Sequence, residues 1–375
     1  MDRRTALTHR PARPASVRPW RAMGLAMALA SSIAHTAGAS DVARATPAPG
    51  LKPVAGVSPH RVYVTNEMSG DLTVYDGASL RELETVPLGK RPRGLRVAND
   101  GRTVYVALSG SPFAPPGVDE RTLPPPDKAA DGIGVVDTAT RRLLRVVRGV
   151  SDPEQLALGH KDRELYVASE DTGTAVVLSS KDGASLASLA VGGEPEGVAI
   201  NPQGTVVYVS SEEDHRVVAF DTATRREIAR FDVGMRPRGI AFSPDGRRAY
   251  VTGENDASVT VVDARGHRPI TTLKLDGDNV RPVGVVVSPD GSTVFVATGR
   301  GGTVVAIDSA ALKPRGSVHV GQRPWGIAIS PDGRQLYTAN GPSNDVSVVD
   351  VARFELIGTL PAGQRPWGVA VGPAH

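Results

Sequence analysis

One unit recurs along this chain at a nearly constant length, and that length restricts the folds open to it. Residues 320–350 show the unit in full. They read Val-Gly-Gln-Arg-Pro-Trp-Gly-Ile-Ala-Ile-Ser-Pro-Asp-Gly, then Arg-Gln-Leu-Tyr-Thr-Ala-Asn, a polar loop, and Asp-Val-Ser-Val-Val-Asp. Short aliphatic and β-branched runs separated by Gly, Pro and Asp read as strands joined by tight turns. A fourth run, residues 355–360, completes the unit before Gly363-Gln364-Arg365-Pro366-Trp367-Gly368 begins it again. The glycine that follows Pro-x recurs at Gly94, Gly197, Gly239, Gly284, Gly326 and Gly368, and Gln155 stands where one is missing. The steps are 61, 42, 42, 45, 42 and 42 residues. Four strands in about 40–45 residues make one blade of a β-propeller. The expected fold is therefore all-β: a seven-bladed β-propeller of four-stranded antiparallel blades.

The phase of the repeat predicts how the ring closes. Residues 54–59 are a worn copy of a first strand, whereas residues 365–371 are a full one. The chain then starts at a second strand, residues 61–66, and the C-terminal strand completes blade one. Closure of this kind removes the free sheet edges that invite aggregation. A single blade cannot bury both its faces, so residues 60–375 are expected to fold as one unit.

The N-terminus has a different character. Residues 1–21 are basic, residues 22–34 are apolar and uncharged, and Ala37-Gly38-Ala39 offers small residues before Ser40. This is the layout of a cleavable export signal, too short to span a bilayer. Residues 1–39 are expected to be removed, leaving residues 40–59 as an extended tail, a periplasmic or secreted protein, and no later membrane span. The signal also distorts the charge balance. The full chain carries a net +3, but residues 1–39 hold six arginines and one acid. What remains has 37 basic and 39 acidic residues, a net of −2. Bulk charge thus gives no support to polyanion binding. With no cysteine in the chain, disulfides, zinc-thiolate sites and iron–sulfur clusters are excluded.

At Tyr63-Val64-Thr65-Asn66 a specific likeness emerges, with near copies at Tyr250-Val251-Thr252-Gly253 and Tyr337-Thr338-Ala339-Asn340. Over roughly residues 60–372 the chain resembles the YVTN-repeat β-propellers. Its Val-Gly-x-Arg-Pro-x-Gly and Asn-Asp-Val-Ser-Val segments are similar to those of exported members described as associated with pyrroloquinoline quinone-dependent catabolism. The resemblance implies the propeller fold and export. It implies no single activity, because propellers host many.

Candidate functional residues are found by discounting the repeated ones. Asp76, Asp137, Asp221, Asp263, Asp308 and Asp350 end third strands, and Asp100, Asp245, Asp290 and Asp332 sit in first-to-second turns. Turn-making accounts for all ten. The loops leading into first strands and out of second strands lie at one end of a propeller, and that end gathers the unusual side chains. The candidate ligand-binding mouth is Arg91, Arg93, Glu194, Glu196, Arg236, Arg238, Arg281, Arg323, Trp325, Arg365 and Trp367. Glu67, Glu154, Glu170, Glu212 and Glu254 share that end. Arginines from several blades could clamp a carboxylate or phosphate, with the tryptophans as flat contact surfaces. Equally, they could pair with neighbouring acids and tie blades together, and that structural reading is the favoured one. Blade two carries a 23-residue insertion, residues 109–131, with six prolines. Its stiffness and position predict that it leans over the mouth as a lid or docking arm.

No catalytic signature is present. His60, His160, His215, His267 and His319 lack metal-ligand spacing, and neither a Gly-x-Ser-x-Gly elbow nor a phosphate-binding loop occurs. The expectation is an exported, non-catalytic propeller, a monomer without metal or cofactor. It would bind a protein partner or a small acidic ligand at the mouth, as an accessory of a periplasmic quinone-dependent oxidation. The alternatives are a lactonase-like hydrolase and nucleic-acid binding through the Arg/Trp mouth. The acidic balance and 4% aromatic content count against the latter.

Overall fold

The structure is a computed structural model that describes residues 51, 54, 56–115, 118–159 and 161–374. The expected signal at residues 1–39, most of the tail at 40–59, and His160 lie outside the described residues. Seven four-stranded sheets form the seven blades, and every strand pairing within them is antiparallel. Blade one joins both ends of the chain. Its strands, from the inside out, are Pro366–Pro373, His60–Asn66, Asp71–Asp76 and Arg81–Pro87. Across the seam Val64 lies opposite Val369 and Tyr63 opposite Ala370, so the C-terminal strand closes the ring as expected. Residues 56–58 lie instead on blade seven. There Ser58 donates its N–H to Asp332 at 2.7 Å, and Arg334 donates to the Gly56 carbonyl at 2.9 Å.

The other inner strands are Pro92–Val97, Pro153–Gly159, Pro195–Ile200, Pro237–Phe242, Val285–Val287 and Pro324–Ile329. Blade six has the shortest inner strand, and the 45-residue step in the repeat falls immediately before it. The second strands are the core of each blade: buried Tyr63, Tyr105, Tyr166, Tyr208, Tyr250, Phe295 and Tyr337 occupy one equivalent position. These aromatic rings fill the wedge between neighbouring blades, where apolar burial supplies about 25 cal/mol per Å² removed from water. The repeated glycines have a steric reason. A Cβ on Gly197 would meet the Arg238 carbonyl, and one on Gly326 the Trp367 carbonyl, at less than 3 Å. The ten aspartates set aside as turn-makers each accept a backbone N–H within their own turn. No helix among the described residues is long and apolar enough to cross a membrane.

Candidate functional site

The mouth is built from three equivalent positions in each blade. The residue before the inner-strand proline contributes Arg365, Arg91, Asp152, Glu194, Arg236, Arg281 and Arg323, for blades one to seven. All except Arg281 have a positive φ, between +37° and +56°. This left-handed kink turns the chain into the inner strand and recurs around the ring, so it belongs to the fold. The residue after the proline contributes Trp367, Arg93, Glu154, Glu196, Arg238, Val283 and Trp325. The residue following the second strand contributes Glu67, Ser109, Glu170, Glu212, Glu254, Thr298 and Gly341. Backbone hydrogen bonds fasten these positions together, for example Glu212 N–H to the Glu194 carbonyl at 3.0 Å and Glu254 N–H to the Arg236 carbonyl at 3.1 Å.

Carboxylates are unevenly shared among the blades. At these positions blades three and four carry three acids each, blades one and five carry one each, and blades two, six and seven carry none. Where acids are present, the arginines pair with them. Arg238 is buried and contacts Glu196 and Glu254 at 2.9 Å each, and Glu212 as well. Burial opposes its charge, yet these three carboxylates hold the guanidinium more firmly protonated than usual. Arg93 is buried against Glu154, with Asp152 at 3.5 Å and Glu67 at 3.6 Å. Arg91 binds Glu67 at 2.7 Å and Arg236 binds Glu212 at 2.7 Å. For these four the blade-tying reading describes the geometry. Arg281 is directed to the Asn255 carbonyl at 3.1 Å and does not line the cavity.

The opposite side of the mouth is different. Arg323 and Arg365 form no ion pair among the described residues. Arg323 stacks over Trp325, 4.9 Å from the ring centre. Burial lowers its proton affinity, and the nearby Arg300, Arg365 and Arg238 push the same way. Trp325 and Trp367 stack at 5.8 Å with their planes 39° apart. Arg365 lies 4.2 Å over Phe113, a residue of the insertion. Across the same cavity Glu194 has no cation within ion-pair distance among the described residues. Burial, reinforced by Glu212, Glu170 and Glu213, pushes its carboxyl up to about 7.

The insertion roofs this space. Arg91 holds it by the carbonyls of Ser111 at 2.8 Å and Pro112 at 3.1 Å, Lys90 by Asp127 at 2.7 Å, and Lys128 by Asp171. Ser111–Ala114 and Arg121, Leu123 and the three prolines after it form one wall of a cavity of about 620 Å³. Nine of the eleven candidate residues line that cavity. Glu196 lies beneath it in the channel, and Arg281 lies outside. Sequence reasoning did not single out Phe113 or Asp152. Phe113 could have been suspected as the one aromatic residue in the insertion, whereas Asp152 reads as a turn residue. Asp152, Glu154 and Glu170 also bring carboxylate oxygens within 4.8 Å of one another, but the Arg93 guanidinium sits among them.

Fold and mouth define a seven-bladed β-propeller with a roofed, charge-divided cavity at one end of its channel. A family model described as "Lactonase, 7-bladed beta-propeller" matches residues 222–355, which span the outer strand of blade four, blades five and six, and most of seven. A search of curated proteins found no match. Among solved structures the chain is similar to two proteins provisionally assigned as 6-phosphogluconolactonases. The one from Bacteroides fragilis is 18% identical with a TM-score of 0.68, covering 85% of this chain and 99% of that one. The one from Bacteroides uniformis is 18% identical with a TM-score of 0.69, covering 84% and 99%. It is also similar to Kuenenia stuttgartiensis hydrazine synthase, 19% identical with a TM-score of 0.67, covering 77% and 92%. At these identities the structures speak for the fold. The lactonase match corrects the expectation of a non-catalytic propeller that binds a protein or a small acidic ligand as an accessory of quinone-dependent oxidation. It favours the lactonase-like hydrolase, which the sequence left as an alternative because no linear motif marks a catalytic group.

Proposed function

We propose that the mouth hydrolyses a lactone that carries an anionic substituent. One observation carries this reading. Among the described residues, the cavity is lined by a carboxylate without a cation partner, Glu194, and by two arginines without a carboxylate partner, Arg323 and Arg365. A carboxylate poised near neutrality is suited to take a proton from an attacking water. Arg323 and Arg365 are suited to hold the substrate's negative group, and the stacked Trp325 and Trp367 to support the face of the ring. Water adds to the lactone carbonyl as Glu194 takes its proton. Positive charge from Arg236, at the same rim, stabilises the oxyanion. Collapse breaks the ring C–O bond, and the alkoxide takes up the proton, giving the hydroxy acid. The insertion closes over this chemistry and limits access of bulk water. The repeat resemblance and the N-terminal layout further support an exported member of the YVTN-repeat type.

The test is a pH-stat assay of the full chain on γ- and δ-lactones with and without a carboxylate or phosphate. Hydrolysis of the anionic members should rise with pH through about 7, the value to which Glu194 is pushed. Glu194→Gln should lower kcat by about 10²–10⁴-fold, the usual size of a general-base contribution. Arg323→Met with Arg365→Met should raise KM for the anionic members alone. No hydrolysis above background, or unchanged kcat in Glu194→Gln, would refute the proposal.

A further inference from the structure

Below the mouth, one inner-strand position departs from the repeat. In six blades it holds a small apolar residue opposite an aromatic one: Ala157 and Tyr166, Ala199 and Tyr208, Ala241 and Tyr250, Val286 and Phe295, Ala328 and Tyr337, Ala370 and Tyr63. In blade two it holds Arg96, opposite Tyr105. The fold needs no cation there, because six blades do without one. Arg96 lies three residues beyond Arg93 on Pro92–Val97, about 10 Å further from the mouth at the strand's rise. It lines the central channel together with Glu196, Arg238 and Trp325.

The charge on Arg96 is uncompensated. Among the described residues its one side-chain hydrogen bond is from Nη1 to the carbonyl of its neighbour Leu95, at 2.8 Å. No carboxylate pairs with it among the described residues, whereas Arg93 and Arg238 each meet at least three. Burial lowers its proton affinity with no counter-charge to offset the effect. A guanidinium does not give up its proton in a protein, so the relief open to it is a counter-ion. The second departure in the ring lies beside it. Gln155, in the place of a glycine, lines the same channel, and its Oε1 is buried without a hydrogen-bond partner. The amide's NH₂ group is a further donor on the channel lining. The channel measures about 80 Å³ against about 620 Å³ for the mouth, room for an ion and a few waters and not for a lactone.

We infer that the channel binds a small inorganic anion of the size of chloride, held by the Arg96 guanidinium and the Gln155 amide. The site is separate from the proposed hydrolytic cavity and stands whether or not that proposal does. The test melts the full chain in sodium chloride and in sodium glutamate, an anion too large for the channel, at equal ionic strength. Chloride at about ten times its dissociation constant should raise the melting temperature by about 2 °C relative to glutamate. Arg96→Ala restores the residue that five of the blades share and should abolish the difference. A chloride effect that persists undiminished in Arg96→Ala overturns the inference, as does its absence for chloride, bromide and nitrate alike in the parent chain. Should the variant fold poorly, bromide-soaked crystals of the parent decide. An anomalous peak against the Arg96 guanidinium supports the site, and none there refutes it.

Discussion

Replacing Arg238 with Met should destabilise the ring in a pH-dependent way. The Arg238 guanidinium is the shared partner of Glu196, Glu212 and Glu254, which come from blades four and five and are all buried. Methionine keeps much of the volume and removes the charge, leaving buried carboxylates without compensation. Breaking a buried pair by deleting one partner costs about 3–5 kcal/mol. Unfolding entropy is about 2.1 cal/mol/K per residue, so the propeller, which spans 60–373, melts with about 0.7 kcal/mol/K, and the loss corresponds to about 5–8 °C. The pH dependence follows from the protons. Burial already holds Glu196 above the usual carboxylate range, whereas Arg238 keeps Glu254 below it in spite of burial. Without Arg238 both carboxyls bind protons more tightly folded than unfolded. The variant's stability must then fall as pH climbs past the unfolded value near 4.5. Melts followed by circular dichroism at pH 5 and pH 8 check this, and the deficit against the parent should be clearly larger at pH 8. Equal deficits at the two pH values, or none, would refute the reasoning. Arg323→Met is the matched control. It loses a stacking contact and no ion pair, so it should fall by less than about 2 °C.

Three further outcomes are expected. Ending the chain after Arg365 removes Pro366–Pro373, the inner strand of blade one, and should abolish the cooperative melt, read by calorimetry, since the loss is on the scale of total stability. Phe113→Ala removes the aromatic face under Arg365 and should raise KM for anionic lactones severalfold, with a melting change of no more than about 2 °C. Mass spectrometry of protein recovered from the periplasm or medium should show Ser40 as the first residue, and an intact Met1 there would defeat the export proposal.

The fold was legible because its cause is periodic. Turn residues, short strands and a glycine where neighbouring backbones crowd recur at a nearly constant interval, and seven such units leave little choice of architecture. The seam was legible too, because a worn strand at residues 54–59 and a full one at 365–371 cannot both be innermost. The composition of the mouth could be read for the same reason, since equivalent loops lie at one end. The pairing within it could not. Arg236 and Arg323 share the same Arg-Pro-x-Gly setting, yet among the described residues one binds Glu212 and the other pairs with no acid. The difference lies after the second strands: Glu212 in blade four and Glu254 in blade five, against Thr298 in blade six and Gly341 in blade seven. These residues are near in space and remote in sequence. Phe113 was hidden for a related reason, because a proline-rich insertion has no period from which to infer what it touches.

The seam also dictates when this molecule can form. Thr65 and Gly368 are hydrogen-bonded at 2.9 Å across 303 residues of chain. Bringing such distant segments together carries the largest loop-closure entropy in the fold, and it is met only at the last step. Blades two to seven each draw their four strands from one continuous stretch and can form before the ends meet. Blade one, however, waits as three strands with its inner edge open until Pro366–Pro373 docks. Until then the edge strand His60–Asn66 is a template for any other extended chain nearby. Loss of Pro366–Pro373 would leave that edge open for good, turning a nearly complete ring into an aggregation seed.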